Sequence, residues 1–397
     1  MRLRLRTRWS EEPWRGYASR VLELTAGETT LEQRILGAAE RRSALESLDI
    51  PRHEGRVDLR GISFPKPSHL QRYPYNTWYK FEGPVTFIEN NAKIREASVE
   101  NLDLSFADLR WVNWYNCKFR NALFEGAELA EDRFHSCHFE QTSFERADLR
   151  EAVVDGDEPC KFRNVSFLRT DLRYICLFRF PRFEDCDFSW AKWTETDFQG
   201  SQFVRCKFAG KLGILSFRGW NSRATDSDKE FLTKRGLNLH RFRNPMDGVD
   251  FSQADLGKVE FLDDVDITKC VFPNDRKHIV IFDGQVVHNR AKREIEVAWS
   301  GSEREEGLDL LDELMGPGDR HTRRLEEGYY RRFKGKQLED AINAIPMFRQ
   351  WHQNRFQRKM YVIHREEWDK EKGPIASNIV DLVARIAKEV RPASTSP

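Results

Sequence analysis

The segment FHSCHF, residues 134–139, holds the side chains that most suggest chemistry in this sequence. Histidine and cysteine bind zinc when three or four of them converge, and His135, Cys137 and His138 are of these types. Convergence depends on the fold, because neighbouring side chains of an extended segment point in opposite directions. The sequence otherwise lacks a phosphate-binding loop, G-x-S-x-G, H-E-x-x-H and a C-x-x-C pair, so it indicates no enzyme.

A second candidate lies in residues 209–248, where lysines and arginines alternate with aromatic residues. A basic groove lined by aromatic rings is typical of proteins that bind single-stranded nucleic acid. The alternative is an inserted helix or hairpin whose aromatic residues pack on the rest of the protein. The candidate binding residues are Arg218, Trp220, Arg223, Lys234, Arg235, Arg241 and Arg243.

The elements that must position these residues follow from a period of five. A large apolar residue occupies every fifth position from Ile94 to Val154, and the spacing returns in three later runs, 162–177, 183–208 and 251–272. Neither the helical period of 3.6 nor the strand period of 2 produces such a pattern, so it indicates an internal repeat. The residue two before each large one is small, and the residue just before it is usually polar. A chain that points the large and the small side chain inward and then turns a corner every five residues forms a square solenoid with four blocks per turn.

The repeat predicts where the cysteines point. Six of the seven occupy the small inward position, where a thiol behaves as a small apolar side chain: Cys117, Cys137, Cys160, Cys186, Cys206 and Cys270. Cys137 then points inward while His135 and His138 face solvent. We therefore predict no metal site, no cofactor and no catalytic residue.

Blocks such as FADLR, RADLR and QADLG resemble the consensus A-(D/N)-L-x-x of the pentapeptide-repeat family. The resemblance covers residues 57–64 and most of 92–272, and it implies a right-handed quadrilateral parallel β-helix. Some members of that family mimic DNA and bind type II topoisomerases through an acidic rod. The candidate acidic ladder here is Asp108, Glu128 and Asp148, which are twenty residues apart and are expected to stack on one face.

The fold class predicted is mainly β, a pentapeptide-repeat solenoid followed by an α-helical C-terminal region. The predicted boundaries are an N-terminal capping segment 1–56, a β-helix 57–275 with insertions at about 65–91 and 209–248, a β-rich connector or cap 276–302, and helices 303–397.

Both ends of the chain carry patterns of their own. The start, MRLRLRTRW, alternates arginine with other residues and predicts a strand with four arginines on one face, either as a cap or as an anion-binding arm. Near the other end Ile379, Leu382 and Ile386 lie on the apolar stripe of one predicted helix. This candidate helix contact either packs on its own protein or forms a homodimer, and Asp381 and Arg385 exclude a membrane span.

Composition limits the partners. The chain has 65 lysines and arginines against 64 acids, a net charge of +1, so no overall field favours nucleic acid or membrane. The longest apolar runs are too short to span a bilayer, and we expect a cytoplasmic protein. The leading hypothesis is a non-enzymatic scaffold that binds a protein partner of unknown identity through the basic insertion and the C-terminal helices. DNA mimicry and direct nucleic-acid binding are the alternatives.

Overall fold

The computed structural model describes residues 2–17, 49–64, 93–194, 196–198, 200–219, 230, 233–234, 243–263, 265–315 and 360–390. The chain divides into two compact units. The first contains residues 1–197 and 201–210, and the second contains 198–200 and 211–397.

The first unit is a parallel β-solenoid, which confirms the predicted class. One side is a parallel sheet, called here the six-stranded face: Ser98–Glu100, Lys118–Arg120, His138–Glu140, Lys161–Arg163, Arg182–Glu184 and Gln202–Val204. Another is the five-stranded face: Lys93–Arg95, Asn113–Tyr115, Arg133–His135, Val153–Asp155 and Cys176–Leu177. Further short strands are Arg52–His53, Arg56–Asp58, Leu102–Asp103, Thr196–Asp197 and Lys207–Lys211.

The predicted block centres form the core. Phe119 pairs in register with Phe139, and Phe139 pairs with Phe162. Their rings stack at centroid distances of 5.1 Å with interplanar angles of 7°. Each coil therefore buries its rings on the coils before and after it, which is the nearest-neighbour packing expected of a solenoid. The six inward cysteines are buried, whereas Cys176 is only partly so.

The corners of the solenoid have a backbone signature. In the first unit the residue two after a centre takes a positive φ, as at Asn101, Phe106, Trp111 and Asn116, with φ between 54° and 67°. Side chains other than glycine and asparagine rarely adopt this conformation, so the repeated inward packing must hold it in place. At Gly210 a Cβ atom would lie 2.6 Å from the ring of Trp190, so that corner requires glycine for space as well.

The N-terminus differs from the prediction. Residues Arg2–Thr7 form a helix, α1, followed by a short 3-10 turn at Arg8–Ser10, rather than a strand with four arginines on one face. Arg8 forms a bidentate pair with the buried carboxylate of Asp58, and the indole of Trp9 donates to the carbonyl of Arg60. These contacts with the first coil favour the helix over the strand that the period-two pattern predicts. Arg8 is paired within the protein.

In the second unit the repeat continues further than expected. Strand Ile214–Arg218 pairs in parallel with Lys258–Leu262, and Phe217 stacks on Phe261 at 5.6 Å. The predicted insertion therefore does not begin at residue 209. Strand Asp250–Asp255 also belongs to this repeat, and Phe251 stacks on Phe272 at 5.7 Å.

The second unit ends in helices. Strand His278–Ile281 pairs antiparallel with Tyr361–His364. Among the described residues, α2 at Gly284–Ala298 and α3 at Gly301–Met315 follow the first of these strands, and α4 at Arg365–Glu389 follows the second. Helix α2 occupies much of the segment 276–302, which the sequence predicted as a β-rich connector. Asp283 caps it by accepting from the amide of Val286.

Candidate interaction surface

The acidic ladder is present as a line of parallel bridges. Asp108 bridges to Glu128, and Glu128 bridges to Asp148. The line continues to Asp171, which lies one coil further on. Steps of twenty residues along the sequence do not reach Asp171, because the segment 156–159 makes that coil longer than twenty residues.

Arginines neutralise the ladder. Three of its four carboxylates form a salt bridge of 2.7 Å with the arginine two residues later: Asp108–Arg110, Asp148–Arg150 and Asp171–Arg173. The fourth, Glu128, lies 3.2 Å from a guanidinium nitrogen of Arg6 and 3.4 Å from one of Arg110. Burial alone would raise the pKa of Asp171, but its bonds with Arg173 outweigh burial and lower that pKa. The ladder therefore pairs opposite charges, unlike duplex DNA with one negative charge per ~1.7 Å of axis.

The basic candidates are divided by the structure. The side chain of Arg218 is only 5% exposed, and its guanidinium lies 2.6 Å from the Asp263 carboxylate, itself 2% exposed. The prediction that Arg218 belongs to an exposed binding surface is wrong, because it ends a buried strand and pairs internally. Lys234 is exposed and forms a salt bridge with Glu230, and Arg243 is exposed. Trp220, Arg223, Arg235 and Arg241 lie outside the described residues.

The candidate helix contact packs within the chain. Ile379 and Ile386 are completely buried, and Leu382 is partly buried. Ile379 and Ile386 belong to an apolar cluster that includes Val287 and Ile295 of α2, and Leu382 packs against this cluster. Of the two alternatives for this stripe, packing on the protein's own helices is the one that the structure shows at Ile379 and Ile386. Among the described residues, no helix combines the length and apolar character of a membrane span.

A column of side chains runs along the five-stranded face and is called here the aromatic strip: Arg95, Tyr115, His135, Asp155 and Phe178, with Tyr174 at the neighbouring corner. The Arg95 guanidinium lies 4.4 Å from the centre of the Tyr115 ring, and Tyr115 lies 5.4 Å from the His135 ring. The Nδ1 atom of His135 is 3.0 Å from a carboxylate oxygen of Asp155. The amide of Phe178 donates to the carbonyl of Val154, which places Phe178 in the next coil.

Charge in the strip is mixed. Asp155 is surrounded by Arg133 and His135, and its side chain is 14% exposed. Burial would raise the pKa of Asp155, but hydrogen bonds from His135 and Arg133 outweigh burial and hold the pKa below its usual value. The carboxylate therefore stays ionised and fixes the side chains of Arg133 and His135. This arrangement is more rigid than an exposed ion pair between flexible side chains.

Two aromatic side chains at the end of the strip are unusually open. Tyr174 and Phe178 are each 40% exposed, although their own coil is packed like the others. Phe178 occupies an outward position of its strand, and Tyr174 is the corner residue with φ 63°. The pattern of the sequence marks both positions as outward, but sequence reasoning did not select them, because it looked for charge rather than for aromatic residues at outward positions.

The segment FHSCHF spreads over two faces. His135 ends a strand of the five-stranded face, His138 begins one of the six-stranded face, and Cys137 is buried between them. The Cys137 thiol lies 3.3 Å from the carbonyl oxygen of Trp114. Burial and the adjacent Lys161 and Lys118 charges lower the pKa of His138.

The comparisons with known proteins agree with this architecture. A family model described as pentapeptide repeats matches in eight copies, at residues 103–131 and 182–210. The chain contains pentapeptide repeats. No curated protein sequence matches it significantly. No enzyme family is indicated by the pentapeptide-repeat match.

Solved structures of pentapeptide-repeat proteins are similar at low identity. HetL of Nostoc sp. strain PCC 7120, involved in heterocyst differentiation regulation, is 17% identical over 46% of this chain and 90% of its own, with a TM-score of 0.27. QnrB1, a plasmid-mediated fluoroquinolone resistance protein, in a trypsin-treated variant form, is 16% identical over 46% and 79%, with a TM-score of 0.25. Rfr23 of the cyanobacterium Cyanothece 51142 is 17% identical over 32% and 85%, with a TM-score of 0.19. These likenesses carry no information about function.

Proposed function

We propose that the protein is a non-enzymatic scaffold whose aromatic strip binds a protein partner. The observation that carries the proposal is the pair of exposed aromatic side chains, Tyr174 and Phe178, at the end of an ordered column of Arg95, Tyr115 and His135. Tyrosine, phenylalanine and arginine are enriched where proteins bind each other, and lysine is depleted there. Such residues commonly supply most of the binding energy.

The mixed charge of the strip favours a protein over a nucleic acid. A nucleic-acid groove needs cations that follow the phosphates, and affinity then falls steeply with salt. Here Arg133 is paired with Asp155, as is His135. A partner that presents an apolar residue to Phe178 and an acceptor to the Tyr174 hydroxyl matches this chemistry better than a uniform polyanion does.

The solenoid also supports binding through its rigidity. The strip is attached to strands whose backbone amides bond from coil to coil, as between Asn116 and His135 or between Phe178 and Val154. Side chains held in this way lose little freedom when a partner arrives, so less of the contact energy is lost to ordering.

The test is affinity capture from the native host by the tagged full-length protein, with nuclease-treated and untreated samples. The test variant changes Tyr174→Ser together with Phe178→Ser. The matched control is Trp190→Ser, which removes an aromatic residue that is 59% exposed at a different corner of the solenoid. Circular dichroism is used to check that the wild type and both variants are folded.

We expect one partner that survives nuclease, binds wild type and the Trp190→Ser control equally, and is lost with the double variant. A partner that binds all three proteins equally would exclude the aromatic strip as the contact surface. Recovery of nucleic acid alone, lost after nuclease treatment, would favour the basic segment around Lys234 and Arg243 and would overturn the proposal.

A further inference from the structure

Three distant segments of the second unit bring two histidines and a carboxylate together. Asp255 ends the strand Asp250–Asp255, His278 begins the strand His278–Ile281, and His364 lies on the strand that precedes α4. One potential ligand atom of each residue lies within 4.8 Å of the other two. Among the residues that the structure describes, no other group of three such side chains meets this distance.

The two histidines face each other across a strand pair. His278 and His364 are direct partners in the antiparallel register, and their rings meet edge to face with centroids 5.1 Å apart. Side chains opposite each other on one face of such a pair have Cβ atoms only ~4.5–5.5 Å apart. Both imidazoles are therefore held where one ion can reach them without a change in backbone register.

Asp275 orients the first imidazole. Both of its carboxylate oxygens lie 3.0 Å from Nδ1 of His278, so that nitrogen carries the hydrogen. The opposite nitrogen, Nε2, is then the acceptor, and it receives the amide hydrogen of Leu256 at 3.1 Å. A carboxylate behind a histidine that directs its other nitrogen outward is the usual outer shell of a metal-binding histidine.

The second imidazole has no hydrogen-bonding partner in the part of the chain that the structure describes. The side chain of His364 is only 9% exposed, yet neither of its ring nitrogens makes a hydrogen bond with a described residue. Its Nε2 atom lies 3.4 Å from an oxygen of Asp255. Buried polar atoms are almost always satisfied, because an atom that has left water without gaining a partner destabilises the folded state. A ligand that accepts the lone pair of His364 beside the Asp255 carboxylate removes this cost.

We propose that Asp255, His278 and His364 bind a divalent transition-metal ion of the Zn²⁺ class. Two neutral imidazoles and one carboxylate are a common ligand set for Zn²⁺, and water takes the fourth position. A metal ion bound to Nε2 of His278 would take the place of the hydrogen bond that this atom accepts from the Leu256 amide. The ligand atoms must also move closer, since bonds of ~2.0–2.1 Å place tetrahedral ligands ~3.4 Å apart. Asp255 is half exposed, and no hydrogen bond with another described residue holds His364 away from it, so both can move.

Binding would join three segments that are far apart in sequence. The ion would tie the end of strand Asp250–Asp255 to the strand pair that leads into α4. Binding to a site formed only in the folded state adds directly to stability. The inference is independent of the aromatic strip, which lies in the first unit.

The experiment uses full-length protein freed of metal by a chelator. Zn²⁺ affinity is measured by competition with a chromophoric chelator, and Co²⁺ is added to follow the visible absorption of a tetrahedral site. The variants are His364→Ala and Asp255→Asn, with Asp275→Asn as the outer-shell change. His288→Ala is the matched control, because His288 pairs with Asp312, whose side chain is exposed, and is not one of the three proposed ligands.

We expect one Zn²⁺ per chain, a visible Co²⁺ band, and a rise in melting temperature on adding Zn²⁺. Asp275→Asn should weaken binding roughly 10–100-fold, as loss of an outer-shell partner does, and the two ligand variants should weaken it more. Wild-type affinity and Co²⁺ spectrum in Asp255→Asn and His364→Ala would overturn the proposal. So would loss of binding in His288→Ala alone, which would mean a surface site elsewhere, or no binding by wild type.

Discussion

The repeat core and the helical core of this chain bury apolar side chains in opposite ways. In the repeat core Phe139 packs on Phe119 and Phe162, which are one coil away in each direction. In the helical core Ile379 packs in a cluster with Val287 and Ile295, which lie far earlier in the chain. The first core is a series of nearest-neighbour contacts, and the second depends on segments that meet only after folding.

This difference explains why the repeat core could be recognised from the spacing of its residues and the helical core could not. A solenoid repeats one environment, so a single residue type recurs at a fixed interval. A helix cluster has a different environment at every position, and an apolar stripe such as that of α4 specifies that a face is buried without specifying the surface that covers it.

Truncating the repeat core is expected to give the largest effect. Phe139→Ala removes a ring that stacks on both neighbouring coils, and we expect a loss of about 3–5 kcal/mol in the free energy of unfolding. Denaturant unfolding followed by circular dichroism measures it. Phe178→Ala is the control, since that ring is 40% exposed and should cost far less. Equal losses would mean that the stacked rings do not dominate the stability of the coils.

Truncating the helical core tests the same physics without periodicity. Ile379→Ala is expected to cost about 2–5 kcal/mol, because the side chain is completely buried within the chain's own helices. The loss should not depend on protein concentration. Val297→Ala is the control on α2, where the side chain is 83% exposed. A loss that varied with concentration would instead support a dimer contact through this helix.

A buried acid in the repeat core should produce an unusual pH dependence. Asp132 occupies a small inward position, is fully buried, and accepts hydrogen bonds from the Val112 amide and the Trp114 indole. Burial raises the pKa of Asp132 well above 3.8 and outweighs those two bonds, which lower it. Its stabilisation is thus complete below the unfolded pKa near 3.8 and is lost as pH rises through the folded pKa.

The measurement is the melting temperature of wild type and Asp132→Asn across pH. Wild type should lose stability relative to the variant as pH rises, because the amide does not ionise. A constant difference between the two proteins would show that Asp132 keeps one protonation state throughout. Asp155→Asn is a useful contrast, since the pKa of Asp155 is lowered and its contribution should be lost as pH falls.

The smallest expected effect is a difference in the rate at which thiols are modified, which reports whether the coils stay closed in the folded protein. Burial raises the pKa of Cys160 to about 12 and that of the less buried Cys176 to about 11. We expect a thiol reagent to modify Cys176 first in the folded protein and the other six only after unfolding. Cys176→Ser should abolish the early phase. Early modification of Cys160 would mean that the coils open locally.

The sequence predicted the solenoid because its inward positions repeat. The phenylalanine centres and the inward cysteines could be assigned from spacing alone, and so could the outward side of each block. The fourth ladder residue, Asp171, was missed because a longer coil shifts the interval. Asp132 was also missed, since an acid at an inward position does not fit the small-residue pattern, and only its bonds with Val112 and Trp114 explain it.

Sequence by itself thus determined which residues stack, because two residues that touch across adjacent coils are separated by a nearly constant number of residues along the chain. Tertiary structure alone decided the pairings that have no fixed interval. It brought Arg6 to Glu128 of the acidic ladder, buried Arg218 against Asp263, and brought His364 to His278. Such long-range partners depend on how the whole chain packs, and no local spacing encodes them.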